Sequence, residues 1–98
     1  LIAGPLRINL GRREVSLSGE PLPLTSADFE LLLFLAQRGG EIVTRDALSM
    51  ALIGRPYDGL DRTVDLRVHR LRRALSSHAA APSLIKTVRG VGYLLVTA

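Results

Sequence analysis

The residues with the greatest capacity for chemistry lie in one stretch, residues 61–75, which reads DRTVDLRVHRLRRAL. It contains five arginines, two aspartates and one histidine. At about 100° per residue, Val64, Val68, Leu71 and Leu75 fall in one narrow stripe, which is the spacing of a buried helix face. The sequence therefore predicts an amphipathic helix with an electropositive face opposite its apolar stripe.

The face opposite the stripe is rich in arginine. Its centre holds Arg62, Leu66, His69 and Arg73, with Asp65 and Arg72 on one shoulder and Thr63 and Arg70 on the other. All five cations of the helix are arginines, and the planar guanidinium group matches guanine edges and phosphates with two hydrogen bonds. At about 22 Å long, the helix fits a DNA major groove. A solvated surface, a membrane surface or a protein partner would also suit a basic helix, so this element alone leaves those interpretations open.

The same helix offers a weak case for metal binding or catalysis. Asp65 and His69 are four residues apart and could share a metal ion, and with Asp61 they could form an acid-base group. Two ligands do not close a metal site, however, and neither Glu nor Cys supports them from the same face. Thr25 and Thr44 carry hydroxyl groups, but their positions at predicted helix starts explain them. We therefore predict no enzyme activity, no catalytic residue, no metal site and no cofactor.

Length and composition indicate a single domain. The 98 residues are 47% hydrophobic, enough for one modest core. The chain has no cysteine and its longest purely apolar run, residues 31–36, is too short to span a bilayer. We expect a soluble, cytoplasmic protein without a membrane partner. Four aromatic residues are too few for a platform that stacks single-stranded bases.

Charge is distributed unevenly along the chain. Residues 1–60 carry six Lys or Arg and seven Asp or Glu, a net charge of −1, whereas residues 61–98 carry seven Lys or Arg and two Asp, a net charge of +5. This asymmetry is typical of a surface that binds a polyanion.

The amino-terminal part of the chain shows strand signals followed by a helix signal. Residues 1–5 are expected to be the end of an interdomain linker, which would make the chain a piece of a longer protein. Apolar and polar residues then alternate over two short segments and a proline-containing segment follows, predicting an antiparallel sheet of three or four strands. Thr25 and Asp28 have the spacing of a capping box. The helix that begins there should bury Phe29, Leu32, Leu33 and Ala36 and end at the glycines 39 and 40.

The rest of the chain predicts two more helices and a hairpin. After a short extended link at 41–43, Thr44 should cap a second helix whose Leu48, Ala51 and Leu52 share a face, while Arg45 and Asp46 are expected to form surface pairs. Residues 54–60 form a loop, Asp61 caps the basic helix, and 76–83 form another loop. Two strand-like runs, 84–88 and 93–97, are joined by Arg-Gly-Val-Gly, a sequence suited to a hairpin turn.

Three strings together resemble a known family: LTSADFELLLFLAQRGGEIVTRDAL, DRTVDLRVHRLRRAL and IKTVRGVGYLL. They resemble the winged-helix effector domain of the OmpR/PhoB class of bacterial two-component response regulators, over nearly the whole chain. The implied fold is α+β, a winged helix-turn-helix with an amino-terminal antiparallel sheet, three helices and a carboxy-terminal β-hairpin wing. Residues 6–98 would form this domain, and a receiver domain would lie upstream.

The resemblance implies sequence-specific binding to double-stranded DNA, with helix 61–75 in the major groove and the wing, 84–97, in the adjacent minor groove. It assigns Arg70 to base reading, makes Thr63, Asp65, Leu66 and His69 available for further base contacts, and gives phosphates to Arg62, Arg72 and Arg73. Thr87 and Tyr93 of the wing would bind the DNA backbone. Arg89 would enter the minor groove, where A/T-rich sequence concentrates negative potential.

The sequence departs from the family pattern just before the long turn. Many members have tryptophan there, whereas this chain has Leu-Ile-Gly at 52–54, which is closer to the CpxR-like branch. The loop that follows resembles the transactivation loop of the family, so Arg55, Tyr57 and Asp58 are candidates for contact with RNA polymerase. A plain connector is the alternative. The family also implies a domain that is monomeric alone and binds direct repeats as a tandem dimer.

Two other classes of function stay open at this stage. A protein-interaction module would use the basic face on an acidic partner and would show no preference among duplexes. A hydrolase would require turnover that is lost with His69→Ala.

Overall fold

The computed structural model describes residues 1–76 and 84–97. Its amino-terminal part is a four-stranded antiparallel sheet in the order β1-β2-β3-β4, as the alternating pattern predicts. The strands are β1 (Ile2–Ala3), β2 (Leu6–Asn9), β3 (Glu14–Leu17) and β4 (Glu20–Pro21). Leu6 pairs with Leu17 and Ile8 with Val15, and all four side chains are buried on the same face of the sheet.

The first strand corrects the predicted domain boundary. The sequence predicts the end of a linker at residues 1–5, but Ile2 pairs with Arg7 and Ala3 pairs with Leu6. Ala3 is also buried in the core. A two-residue strand is too short to show an alternating pattern, so this sequence signal could not separate it from a linker.

Three helices follow, and side-chain oxygens stabilise their first turns. They are α1 (Ser26–Gln37), α2 (Arg45–Leu52) and α3 (Thr63–Ser76). The hydroxyl oxygens of Thr25 and Thr44 accept hydrogen bonds from the backbone amides of Asp28 and Ala47, at 3.1 and 3.0 Å. The helix predicted from residue 61 begins two residues later. Asp61 nevertheless satisfies its first turn, since its Oδ1 accepts from the Thr63 amide at 2.9 Å.

The buried faces of the helices agree with the sequence pattern to different degrees. In α3, all four residues of the predicted stripe are at most 2% exposed. In α1, Leu31 and Leu35 are fully buried although they lie off the predicted stripe, and Leu33 is only half-buried. In α2, Ala51 is exposed, contrary to prediction, and Ser49 is buried instead. The Ser49 hydroxyl donates to the backbone oxygen of Arg55 at 2.7 Å, which makes the burial of this polar group tolerable.

A second sheet carries the carboxy-terminal hairpin. It consists of β5 (Val43–Thr44), β6 (Ile85–Val88) and β7 (Gly92–Leu95) in the antiparallel order β5-β7-β6. The hairpin of β6 and β7 confirms the predicted wing. The predicted extended link is partly a strand, because Val43 pairs with Tyr93 on β7. Most of the loop predicted at 76–83 lies outside the described residues.

Both sheets and all three helices contribute to one apolar core, so the predicted α+β winged helix-turn-helix is confirmed. Helix α3 packs mainly against α1 and also contacts α2, and Arg72 links it to strand β6 of the hairpin sheet. Among the described helices, none combines the length and the apolar character that a membrane span requires.

Candidate nucleic-acid interface

One face of α3, continued by Arg62 just before the helix begins, is turned to solvent and carries three of the five arginines of residues 61–75. Because Val64, Val68, Leu71 and Leu75 are buried, the opposite side must be exposed, and Leu66 at its centre is 53% exposed. We call this surface the arginine face, which consists of Arg62, Leu66, His69, Arg70 and Arg73, all of them exposed. Within residues 1–76 and 84–97, no hydrogen bond or ion pair occupies the side chains of His69, Arg70 or Arg73. These groups are therefore available to a ligand.

Asp65, on the shoulder of α3, is engaged by two other elements. Its Oδ1 accepts a hydrogen bond from Arg45 Nε at 2.9 Å and another from the Tyr93 hydroxyl. Arg45 Nη2 lies 3.4 Å from the Tyr93 hydroxyl oxygen, and its guanidinium carbon is 5.0 Å from the centre of the Tyr93 ring. The Arg45 and Asp65 side chains are only 18% and 31% exposed. The prediction that Arg45 forms an ordinary surface pair is therefore wrong.

The protonation states of this group reinforce its contacts. Partial burial opposes ionisation of Asp65, but the hydrogen bonds from Tyr93 and Arg45 outweigh it, so the pKa of Asp65 is lowered. Burial, followed by the hydrogen bond to Asp65, raises the pKa of Tyr93. The pKa of Arg45 is raised, chiefly by its hydrogen bond to Asp65. At neutral pH, an ionised carboxylate therefore accepts from a neutral phenol and a cation.

Arg72 connects the same shoulder of α3 to the hairpin. Its Nη2 donates to the backbone oxygen of Ile85 at 3.0 Å and to the hydroxyl of Thr87 at 2.6 Å. Its guanidinium carbon lies 5.6 Å from the centre of the Tyr93 ring. Arg72 thus holds strand β6 against α3, and its role as a phosphate contact stays a prediction.

Arg89 is exposed at the tip of the hairpin. The turn is closed by a hydrogen bond of 2.9 Å from the Val91 amide to the Val88 carbonyl, and Gly90 has φ +74°, a conformation that favours glycine. On the other side, the Arg45 amide lies 3.3 Å from the Val91 carbonyl, so the turn is also linked to the start of α2. The exposed arginine is therefore displayed on an anchored hairpin.

The loop between α2 and α3 is held by short-range contacts. Asp61 forms an ion pair with Arg55, and hydrogen bonds from the Thr63 hydroxyl and from Arg55 lower the pKa of Asp61 to about 2. The Tyr57 amide donates to Asp46 at 3.0 Å. Asp58 Oδ1 accepts from the Leu60 and Asp61 amides, both at 2.8 Å. Asp46 is thus a loop anchor, and Leu60, 85% exposed, projects from the loop.

Comparison with known sequences identifies the family. The family described as "Transcriptional regulatory protein, C terminal" matches residues 19–95. The chain belongs to this family. Its sequence is 50% identical over 91 residues to the transcriptional regulatory protein RstA of Escherichia coli K12, which covers 93% of this chain and 38% of RstA. It is 41% identical over 93 residues to CpxR of the same strain, covering 95% of this chain and 40% of CpxR. The chain spans about two fifths of the length of these relatives.

Solved structures of family members share its fold. The Klebsiella pneumoniae RstA DNA-binding domain in complex with the RstA box aligns with a TM-score of 0.90 at 45% identity, covering 100% of this chain and 97% of that one. The DNA-binding domain of Escherichia coli CpxR aligns with a TM-score of 0.86 at 39% identity, covering 100% and 96%. The predicted OmpR/PhoB-type membership is confirmed. Identity to RstA is higher than identity to CpxR, so the similarity extends beyond the CpxR-like branch.

In this member of the transcriptional regulatory family, the predicted site residues separate into two groups. The arginine face and Arg89 are exposed, and Thr63 is half-buried with its hydroxyl donating to Asp61 at 2.5 Å. Tyr93, in contrast, is only 4% exposed and its hydroxyl is bound to Asp65. The polar groups of Asp65 and Tyr93 are therefore engaged within the fold, and their DNA contacts stay predictions. Nothing in residue type or spacing marks Arg45 as their partner, since it lies 20 residues from Asp65 in the sequence.

Proposed function

We propose that this domain binds double-stranded DNA with sequence preference, as the output domain of a bacterial two-component transcriptional regulator in the cytoplasm. In this proposal α3 lies in the major groove and the hairpin of β6 and β7 reaches the adjacent minor groove. A receiver domain of the same regulator would precede the chain. We assign the domain no catalytic role and no cofactor.

The observation that carries the proposal is the arginine face of α3. Arg70 and Arg73 are exposed side chains on a helix that the core holds from its opposite side. Such a helix can approach base edges without losing its packing. The complex of Klebsiella pneumoniae RstA with the RstA box supports this use of the fold, since that relative was solved on its DNA.

The residue types suggest a division of labour on the duplex. Arg70 has the planar fork that can bind guanine O6 and N7 together, and Leu66 is an exposed apolar group suited to a thymine methyl. Thr63 and His69 are further candidates for base contacts. Arg62 and Arg73 are assigned to phosphates, and Arg89 to the minor groove, where arginine favours a narrow A/T-rich segment.

The test begins by selecting the preferred duplex from a random pool with this 98-residue chain. Affinity is then measured for the selected duplex and for a random duplex at one salt concentration. Because Arg70 is assigned to a base, Arg70→Ala should cost about 1–3 kcal/mol on the selected duplex and should relax the base preference. Arg7→Ala is the matched control, since it removes an exposed arginine from β2 in the other sheet.

Two results would contradict the proposal. Equal losses on selected and random duplexes would show that Arg70 reads no base. Failure of the selection to enrich any sequence, together with tight binding to an acidic protein, would favour an interaction module instead.

We further propose that loop residues Arg55, Tyr57 and Asp58 contact RNA polymerase. The ion pair and Asp-centred hydrogen bonds support this, because a loop held in one conformation loses little entropy on binding. In the full-length regulator, Tyr57→Ala should reduce transcription from a target promoter several-fold while leaving promoter affinity unchanged. Reduced promoter affinity would assign the residue to DNA binding or folding instead.

We propose that two copies of the domain bind DNA at directly repeated sites. The domain would be a monomer in solution and two copies would bind head to tail. Sedimentation of the chain alone and with the selected duplex measures both states. A symmetric dimer without DNA would contradict this arrangement.

A further inference from the structure

A polar cluster joins α3 to the hairpin without belonging to the arginine face. We call it the hairpin clamp, which consists of Arg45, Asp65, Arg72, Thr87 and Tyr93. At one end, Asp65 Oδ1 accepts from both Arg45 and the Tyr93 hydroxyl, so α2, α3 and β7 meet at a single oxygen. At the other end, Arg72 donates to Thr87 and to the backbone of β6.

The clamp attaches α3 to the hairpin at two points. Asp65 and Arg72 are seven residues apart, which is two helical turns or about 10 Å along the helix axis. Strand pairing of β7 with β5 already anchors the hairpin, and two separated attachments to α3 further restrict its distance from the helix and its angle to it. Partial burial adds to the rigidity, because charge-assisted hydrogen bonds are stronger where water competes less.

Fixed geometry matters for a protein that reads two grooves. The spacing between a major groove and the next minor groove is set by the duplex, so Arg70 and Arg89 can bind together only if the protein holds them at the matching offset. Phosphate contacts tolerate misalignment better, since they carry little sequence information. Loosening the hairpin should therefore reduce discrimination more than it reduces general affinity for DNA.

From this geometry we infer that Asp65 and Tyr93 are positioning residues, which set sequence discrimination by fixing the offset between Arg70 and Arg89. The inference rests on the proposed function. It gives Asp65 and Tyr93 a role that their hydrogen bond to each other supports.

The test compares Tyr93→Phe and Asp65→Asn with the unsubstituted chain on the selected and the random duplex. Tyr93→Phe removes only the hydroxyl and keeps the buried ring. We expect affinity for the selected duplex to fall about tenfold, which is the scale of a lost hydrogen bond to a charged group. Affinity for the random duplex should change less than about twofold. Glu30→Gln is the matched control, because it breaks the exposed ion pair with Arg13 on another part of the surface.

A double-mutant cycle with Arg89→Ala gives the sharper readout. With the clamp intact, Arg89→Ala should weaken binding to the selected duplex. In the Tyr93→Phe background the same substitution should have little further effect, because a misplaced hairpin no longer delivers Arg89. Residual dipolar couplings of the free chain should show a changed or broadened orientation of β6 and β7 relative to α3 in Tyr93→Phe.

The outcomes separate this inference from the proposed function. If Arg70→Ala shows the expected loss but Tyr93→Phe binds like the unsubstituted chain, or loses affinity equally on both duplexes, the positioning role is wrong while the proposed function stands. If the unsubstituted chain prefers no duplex, the proposed function itself fails. Should Asp65→Asn fail to fold, Tyr93→Phe decides the result alone.

Discussion

At the scale of single residues, the role of an arginine depends on whether its side chain is already bound within the fold, and residue type does not decide it. Arg72 and Arg73 are adjacent and chemically identical, but they point about 100° apart on α3. Arg72 is bound to Thr87 and the β6 backbone, whereas Arg73 is exposed. The helical wheel places both on the polar side, and only the position of the hairpin distinguishes them. The same reasoning separates Asp65, which is engaged, from the residues of the arginine face.

Acid sensitivity is a residue-scale prediction for Asp61. Its pKa is lowered from 3.8 to about 2, chiefly by the Thr63 hydroxyl and then by Arg55. A carboxyl group with a lowered pKa stabilises the fold above its ordinary pKa, and this contribution is lost as pH falls toward the lowered value. We therefore expect the urea midpoint of unfolding to decrease as pH falls from about 4 to about 2.

Thr63→Val tests the cause of that decrease. It removes the hydrogen bond that contributes most to the lowered pKa of Asp61, so the stability of this variant should decrease less between pH 4 and pH 2. Parallel curves for the variant and the unsubstituted chain would show that the hydrogen bond from the Thr63 hydroxyl is not the cause. The lowered pKa of Asp65 predicts a second, independent effect. The stability of Asp65→Asn should also decrease less than that of the unsubstituted chain as pH falls.

At the scale of elements, the hairpin depends on a close approach between two strands. Gly92 on β7 pairs with Thr44 on β5 and with Val88 on β6. A Cβ atom at position 92 would collide with the Val43 carbonyl oxygen and lie 2.8 Å from the Thr44 Cα. Both obstacles are backbone atoms, which cannot move without breaking the strand pairing. Position 92 therefore requires glycine for space, whereas Gly90 requires it for its positive φ.

Alanine at these two glycines should have different effects on stability. Gly90→Ala meets no atom within 4 Å and should cost only the strain of a positive φ, about 1–2 kcal/mol. Gly92→Ala should cost more, about 3 kcal/mol, because overpacking adds to the loss of the contact between β5 and β7. Urea unfolding measures both costs. Equal losses would contradict the importance of the close approach.

The sequence predicts elements whose pattern is long enough to repeat. Helix α3 shows its apolar stripe over three turns and was predicted with all four buried residues, and the glycine-containing turn identified the hairpin. Strands β1 and β5 have two residues each and show no such pattern. The hairpin clamp was missed for a related reason. Its contacts join residues 13–48 positions apart, and side-chain types alone do not specify which distant residues meet.

At the scale of the whole molecule, charge is concentrated where the proposed ligand binds. The +5 net charge of residues 61–98 belongs largely to α3 and the hairpin, whereas the sheet of β1 to β4 and the first two helices carry balanced charges. Three of those later cations, Arg62, Arg70 and Arg73, are exposed on the arginine face. An uneven field of this kind orients a polyanion during encounter and makes affinity depend on salt.

Salt dependence therefore distinguishes the arginines by location. Each phosphate contact releases condensed counterions, so the slope of log affinity against log salt should decrease in magnitude by about 1 in Arg62→Ala and in Arg73→Ala. Arg7→Ala removes the same charge from the amino-terminal sheet and should leave the slope nearly unchanged. Titrations of the random duplex between about 50 and 200 mM salt cover the useful range. Equal changes in all three variants would mean that net charge governs binding, and the arginine face would lose its special role.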